Sequence, residues 1–107
     1  MVFLDFSNLK LPADVSTVMG HARNYIHKQP VKSVYSLASI ENMHFNNEIR
    51  DLFGELLKSN KPFIKASAIV GVIGLKQLVF NGLMRLTGRD VKSFDTLDQA
   101  KDWLAMH

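Results

Sequence analysis

Phe63-Ile64-Lys65-Ala66-Ser67-Ala68-Ile69-Val70-Gly71-Val72-Ile73-Gly74 is the stretch on which the fold turns. From Phe63 to Val70 the residues are apolar at both odd and even positions, apart from Lys65 near the start and Ser67. A strand with one wet face alternates. One that is apolar on both faces belongs at the centre of a parallel sheet covered by helices on both sides. The glycines at 71 and 74 then turn the chain into a helix carrying Leu75, Leu78, Val79, Leu83 and Leu86.

Toward the C-terminus, Gly88 follows that helix and supplies the left-handed residue that commonly ends one. Val91 to Phe94 reads as a short strand. Thr96-Leu97-Asp98-Gln99 is a capping box, threonine first and glutamine three later, opening a last helix with Ala100, Trp103 and Leu104.

Toward the N-terminus, Asn60-Lys61-Pro62 stops a helix in which Ile49, Leu52, Phe53, Leu56 and Leu57 recur at i, i+3, i+4, i+7 and i+8. Asn46 or Asn47 caps it, after a polar patch from Glu41 to His44. Val31 to Ile40 is a β-like run. Pro30 ends the preceding helix, whose stripe is Val15, Val18, Met19, Ala22 and Ile26 behind Pro12 at the first helical position. Val2 to Phe6 is the first strand. The predicted order is β-α-β-α-β-α-β-α, an α/β fold with a four-stranded, mainly parallel sheet and right-handed crossovers.

The 107 residues fit a single domain, residues 1–107. The apolar fraction of 47% supports a buried core, and 21% charged residues is not the composition of a disordered tail. There are no cysteines, which removes disulfides and thiolate chemistry and suits a reducing, cytoplasmic setting. No secretory signal is legible at the N-terminus. The longest near-apolar run, Ala66 to Leu75, is about half of what a membrane span needs. The net charge of +3 comes from basic residues spread along the chain among acids, whereas a nucleic-acid surface wants them clustered with stacking aromatics. The expectation is a soluble protein with no nucleic-acid partner.

Ligands of open parallel sheets sit beyond the carboxyl ends of the strands, where strand order reverses. If the first and third strands are central neighbours, that crevice lies between Asp5, Ser7 and Asn8 on one side and Gly71, Val72, Gly74 and Lys76 on the other. A helix start attracts anions and glycines admit a ligand to the main chain. The motif lacks the Lys-Ser/Thr of a P-loop and the third glycine of a dinucleotide fingerprint. Asp5 has a second use, accepting hydrogen bonds from loop N–H groups. His21, His27, His44 and His107 show no metal-ligand spacing, no nucleophile elbow is present, and Asp51 and Glu55 fall on the wet face of their helix. No catalytic residue, metal or cofactor is expected.

Two segments carry a resemblance. They are Asn60 to Leu75, with its Ala68-Ile69-Val70-Gly71 strand end, and Thr87 to Leu104, with Phe94-Asp95-Thr96 and a helix ending in Trp103-Leu104. Together they resemble the SpoIIAA-like branch of the STAS (sulfate transporter and anti-sigma factor antagonist) superfamily, with a looser fit through Gln29-Pro30 and Ser33 to Leu37. The resemblance implies a bacterial, often dimeric domain with strand order β2-β1-β3-β4, counting the strands above as β1 to β4. It also implies a sheet edge left open, because such domains usually begin with an extra strand. Their phosphorylated serine has no counterpart here, since Ile40-Glu41-Asn42-Met43-His44-Phe45-Asn46-Asn47 offers no Ser or Thr before the second helix.

Two functions follow from these residues. One is a regulatory protein-interaction module using the loop residues Glu41, Asn42, His44, Asn46 and Asn47 and the exposed face of the second helix, with a protein partner and a second copy of the chain. The other is a carrier of a small anion, nucleotide or lipid in the β1–β3 crevice.

Overall fold

The computed structural model describes all of residues 1–107. In chain order it contains β1 (Val2–Asp5), α1 (Pro12–Ile26), β2 (Val34–Ser39), α2 (Asn47–Asn60), β3 (Ile64–Val70), α3 (Leu75–Thr87), β4 (Lys92–Phe94) and α4 (Leu97–Ala105), with a 3-10 turn at Lys61–Phe63. The four-fold alternation is present and every strand pair is parallel.

Local chemistry sets the helix ends. Pro12 opens α1, where its missing N–H is not needed. The Asn46 side chain accepts from Ile49 N–H at 2.9 Å and caps α2. Thr96 and Gln99 close a reciprocal capping box on α4, and Gly88 ends α3 in the left-handed region at φ +70°.

The strand order is β1-β2-β3-β4, which corrects the order β2-β1-β3-β4 that the resemblance implied. The reason lies in the burial of the two strands. In β1, Leu4 is buried while Phe3 and Asp5 are exposed, so the strand has one covered face. A carboxylate in a strand covered on both faces would lose its hydration without an ionic partner. At the edge, Asp5 reaches water. In β2, Val34, Leu37 and Ser39 are buried and Tyr35, Ser36 and Ala38 half-buried, so it tolerates neighbours on both sides. Val2 to Asp5 pair with Ser36 to Ser39, and β2 pairs in turn with β3.

Because each right-handed crossover advances the sheet in the same direction, α1, α2 and α3 pack on one face. The large core lies there, with Phe6, Val15, Ile26, Ile40, Ile49 and Phe53 at its centre. Phe53 meets Phe6 edge-on at 5.0 Å and Phe80 at 5.3 Å between ring centroids. The other face has only α4. Ala66 and Ala68 of β3 and Ala100 of α4 keep that layer thin, sealed by Leu37, Val70 and Leu104.

Since Phe53 joins the sheet to α2 and α3, Phe53→Ala is expected to lower unfolding stability by about 3–5 kcal/mol. Phe3→Ala, at the open edge, should cost under about 1 kcal/mol. Urea unfolding followed by circular dichroism checks both values.

Candidate functional site

The carboxyl ends of β1 and β3 are separated by β2, so no crevice opens between them and strand order never reverses. The residues expected to face one another flank the exit of β2 instead. On the β1 side, Asp5 accepts hydrogen bonds from the Ser7 main chain at 3.0 Å and from the Ser7 hydroxyl, which forms a turn. Asn8, in the left-handed region at φ +65°, donates from its N–H to Glu41 O at 2.9 Å.

On the β3 side, Gly71 sits at φ +93° against the β2 exit. A Cβ there would lie 2.7 Å from Glu41 N and 2.9 Å from Ile40 C. The glycine thus admits the neighbouring main chain rather than an outside ligand. Gly74, at φ +60°, faces open space, and Val72 is half-buried between the two glycines.

The loop from Glu41 to Asn46 is held by contacts that the sequence pattern did not single out. Met43 is buried, and Phe45 packs on Phe53 and Phe80. His44 N–H donates to Leu9 O at 2.9 Å. Asn42 sits in the left-handed region, and its carbonyl accepts from Lys10 Nζ at 3.4 Å. The loop therefore presents its polar side chains on a fixed frame.

Between this loop and the start of α3 runs a groove of about 530 Å³, lined by Met43, His44, Phe45, Asn46, Asn47 and Arg50 on one wall and Ile73, Leu75, Lys76 and Val79 on the other. The fold thus joins His44, Asn46 and Asn47 of the expected interaction loop to Lys76 of the expected ligand site. Glu41, Asn42, Asp5, Ser7, Asn8, Gly71, Val72 and Gly74 do not line it.

The far wall is where periodicity alone misled. Of the helix residues Leu75, Leu78, Val79, Leu83 and Leu86, only Leu83 is buried, while Phe80 joins the core in their place. Ile73, Leu75, Leu78 and Leu86 are 74%, 82%, 70% and 82% exposed. The signal was in the spacing. On a helical wheel Leu75, Leu78 and Leu86 fall within about 80° of one another, while Leu83 and Phe80 lie about 80° and 140° from Leu75. One helix face cannot bury both sets.

The groove carries positive charge. No acidic residue lies between Leu75 and Thr87, and Lys76 Nζ reaches only the Ile40 carbonyl, at 3.4 Å. Partial burial, and then the charge of Lys10, hold the Lys76 amine below its ordinary value. The only ion pair within 4.0 Å in the molecule is Arg50–Asp51, on the surface of α2.

Comparison of the chain with protein-family models, with curated proteins and with solved structures finds no match in any of the three.

Because the Lys10 charge disfavours a proton on Lys76, Lys10→Gln is expected to raise the Lys76 pKa toward the usual lysine value. An NMR titration of the lysine Cε resonances checks the direction. A Lys76 midpoint unmoved by the substitution would count against this coupling.

Proposed function

We propose that the protein is a non-enzymatic, regulatory interaction module that docks an acidic amphipathic segment of a partner protein in the groove between the Glu41–Asn47 loop and α3. The observation that carries this reading is the coincidence in one groove of exposed Ile73 and Leu75 with Lys76, which has no acidic partner. A surface apolar patch beside an unpaired cation fits a partner with apolar anchors and carboxylates, because each satisfies the other on desolvation. Kinship with the SpoIIAA-like STAS domains and a cytoplasmic setting belong to the same proposal. Their support is the Ala68–Gly71 and Phe94–Thr96 motifs and the absence of cysteine, whereas the observed strand order departs from the one that kinship implies. No helix is long and apolar enough to cross a membrane.

Pairing of two copies forms part of the reading. The β4 edge is three residues long and carries Lys92 and Ser93, features that discourage further pairing. The β1 edge presents uncharged Val2-Phe3-Leu4 beside a groove of about 380 Å³ walled by Val18, Ala22 and Tyr25 of α1. An antiparallel β1–β1 contact across a two-fold axis is self-complementary and continues the sheet. A monomer–dimer equilibrium in analytical ultracentrifugation is expected, shifted to monomer by Phe3→Lys.

For the groove, affinity capture from native lysate is expected to recover a protein with the wild type. Binding should weaken in high salt and be lost with Ile73→Ser/Leu75→Ser or Lys76→Glu. These are surface changes expected to alter stability by no more than about 0.5 kcal/mol. Identical recovery by the wild type and both variants would sink the reading.

A further inference from the structure

Between α2 and the sheet lies a second, internal cavity of about 50 Å³ whose walls are mostly aliphatic and aromatic. Its polar lining consists of Ser36, Ser67, Asn60 and Arg89. Arg89 follows α3 and folds back under α2. Its Nη1 donates to Leu57 O at 3.0 Å and its Nη2 to Ser67 Oγ at 2.7 Å. Both acceptors are neutral, and no carboxylate lies within 4.0 Å of the guanidinium. Removal from water alone draws Arg89 down to about 10.

The hydrogen count around this cavity is unbalanced. A guanidinium has five N–H donors, of which Arg89 uses two on the protein, leaving three. Ser36 and Ser67 are partners across the β2–β3 ladder, and their hydroxyl oxygens lie 2.5 Å apart. That contact uses one of their two hydrogens. Because Ser67 Oγ already accepts from Arg89, the favoured sense is Arg89 to Ser67 to Ser36. The Ser36 hydrogen is then left with no protein acceptor. Asn60 adds amide hydrogens, its Oδ1 being engaged by His27 Nε2 at 3.0 Å. The site is rich in donors and cationic, and it is poor in acceptors.

From this geometry we infer that the cavity binds a small monovalent anion, a halide or a carboxylate of formate to acetate size, between Arg89 and Ser36. The size limit comes from the volume. A water needs roughly 10–15 Å³ on the same measure, so the space admits about three to five such atoms and no phosphate ester or nucleotide. The aliphatic walls fit a methyl group or a bare halide. Arg89 and Val91, both partly exposed, mark the end through which the anion exchanges. This site lies within the core, apart from the groove beside α3, and its occupancy stabilises the fold instead of recruiting a partner.

The test is thermal unfolding of the whole chain at constant ionic strength. Sodium gluconate, whose anion is too large to enter, is replaced stepwise by sodium chloride, formate or acetate. A ligand that binds only the folded state raises the midpoint saturably, by about 5 °C at ten times its dissociation constant. Chloride and carboxylate arms differ in half-saturation and so identify the preferred anion. Ser36→Ala, which keeps Arg89 and the fold, is expected to weaken half-saturation about fivefold or more. Arg89→Gln should abolish the response. Should Arg89→Gln not fold, broadening of the chloride-35 NMR line by the wild type, reversed by formate, supplies the same information. An equal midpoint in all salts marks a cavity holding water only, and an equal rise in Ser36→Ala marks an anion bound away from Ser36; either overturns the inference.

Discussion

The main chains of β2 and β3 touch where the strands leave the sheet, Gly71 against Ile40 and Glu41, with no room for a side chain between them. Ile40 N–H donates to Val70 O at 3.0 Å at the same place. This contact places β2 beside β3 and leaves β1 no place between them; β1 pairs with β2 instead, at the edge. The β2–α2 loop leaves the sheet next to the β3–α3 turn, so His44 and Asn46 stand opposite Leu75 and Lys76. A side chain at position 71 would wedge the two exits apart and suffer the positive φ as well.

Single winding divides the molecule unequally. Three helices cover one face and build a deep core of phenylalanines and long aliphatic residues, whereas α4 alone covers the other against alanines. The two functional proposals draw on different consequences of this arrangement. Along α3, Phe80 and Leu83 are buried under α2, and at the carboxyl end of the sheet Leu75 is turned outward beside Lys76. Under α2, Ser36 and Ser67 meet in register on adjacent central strands, and Arg89 reaches back to them from beyond α3. In a low-dielectric interior an arginine with only neutral acceptors is costly. The carbonyl at the end of α2 offsets part of that cost, since helix C-termini attract cations.

Features that depend on a few neighbouring residues were legible in the sequence. Pro12, the Asn46 cap, the Thr96–Gln99 box and Gly88 each satisfy main-chain groups within a turn of themselves. Each lies where the residue type predicts. The candidate groove was half legible: His44, Asn46, Asn47 and Lys76 were singled out separately, but nothing local showed that they share a surface. Asp5 carried the clue that was missed. A carboxylate in the first strand fits an edge better than a centre, and that alone disfavours the order β2-β1-β3-β4.

From residues alone, the alternation of four strands and four helices and the parallel sense of the sheet are determined, because periodicity and capping act over single turns. Tertiary structure decided the strand order and the single face shared by α1, α2 and α3. It also decided which leucines of α3 face water, and the meeting of Arg89 with Ser67 and Ser36. Those depend on pairing between segments far apart in the chain, where several neighbours satisfy the same hydrogen bonds. Only burial of the whole set selects among them, here by leaving Asp5 in water and closing β2 on both sides.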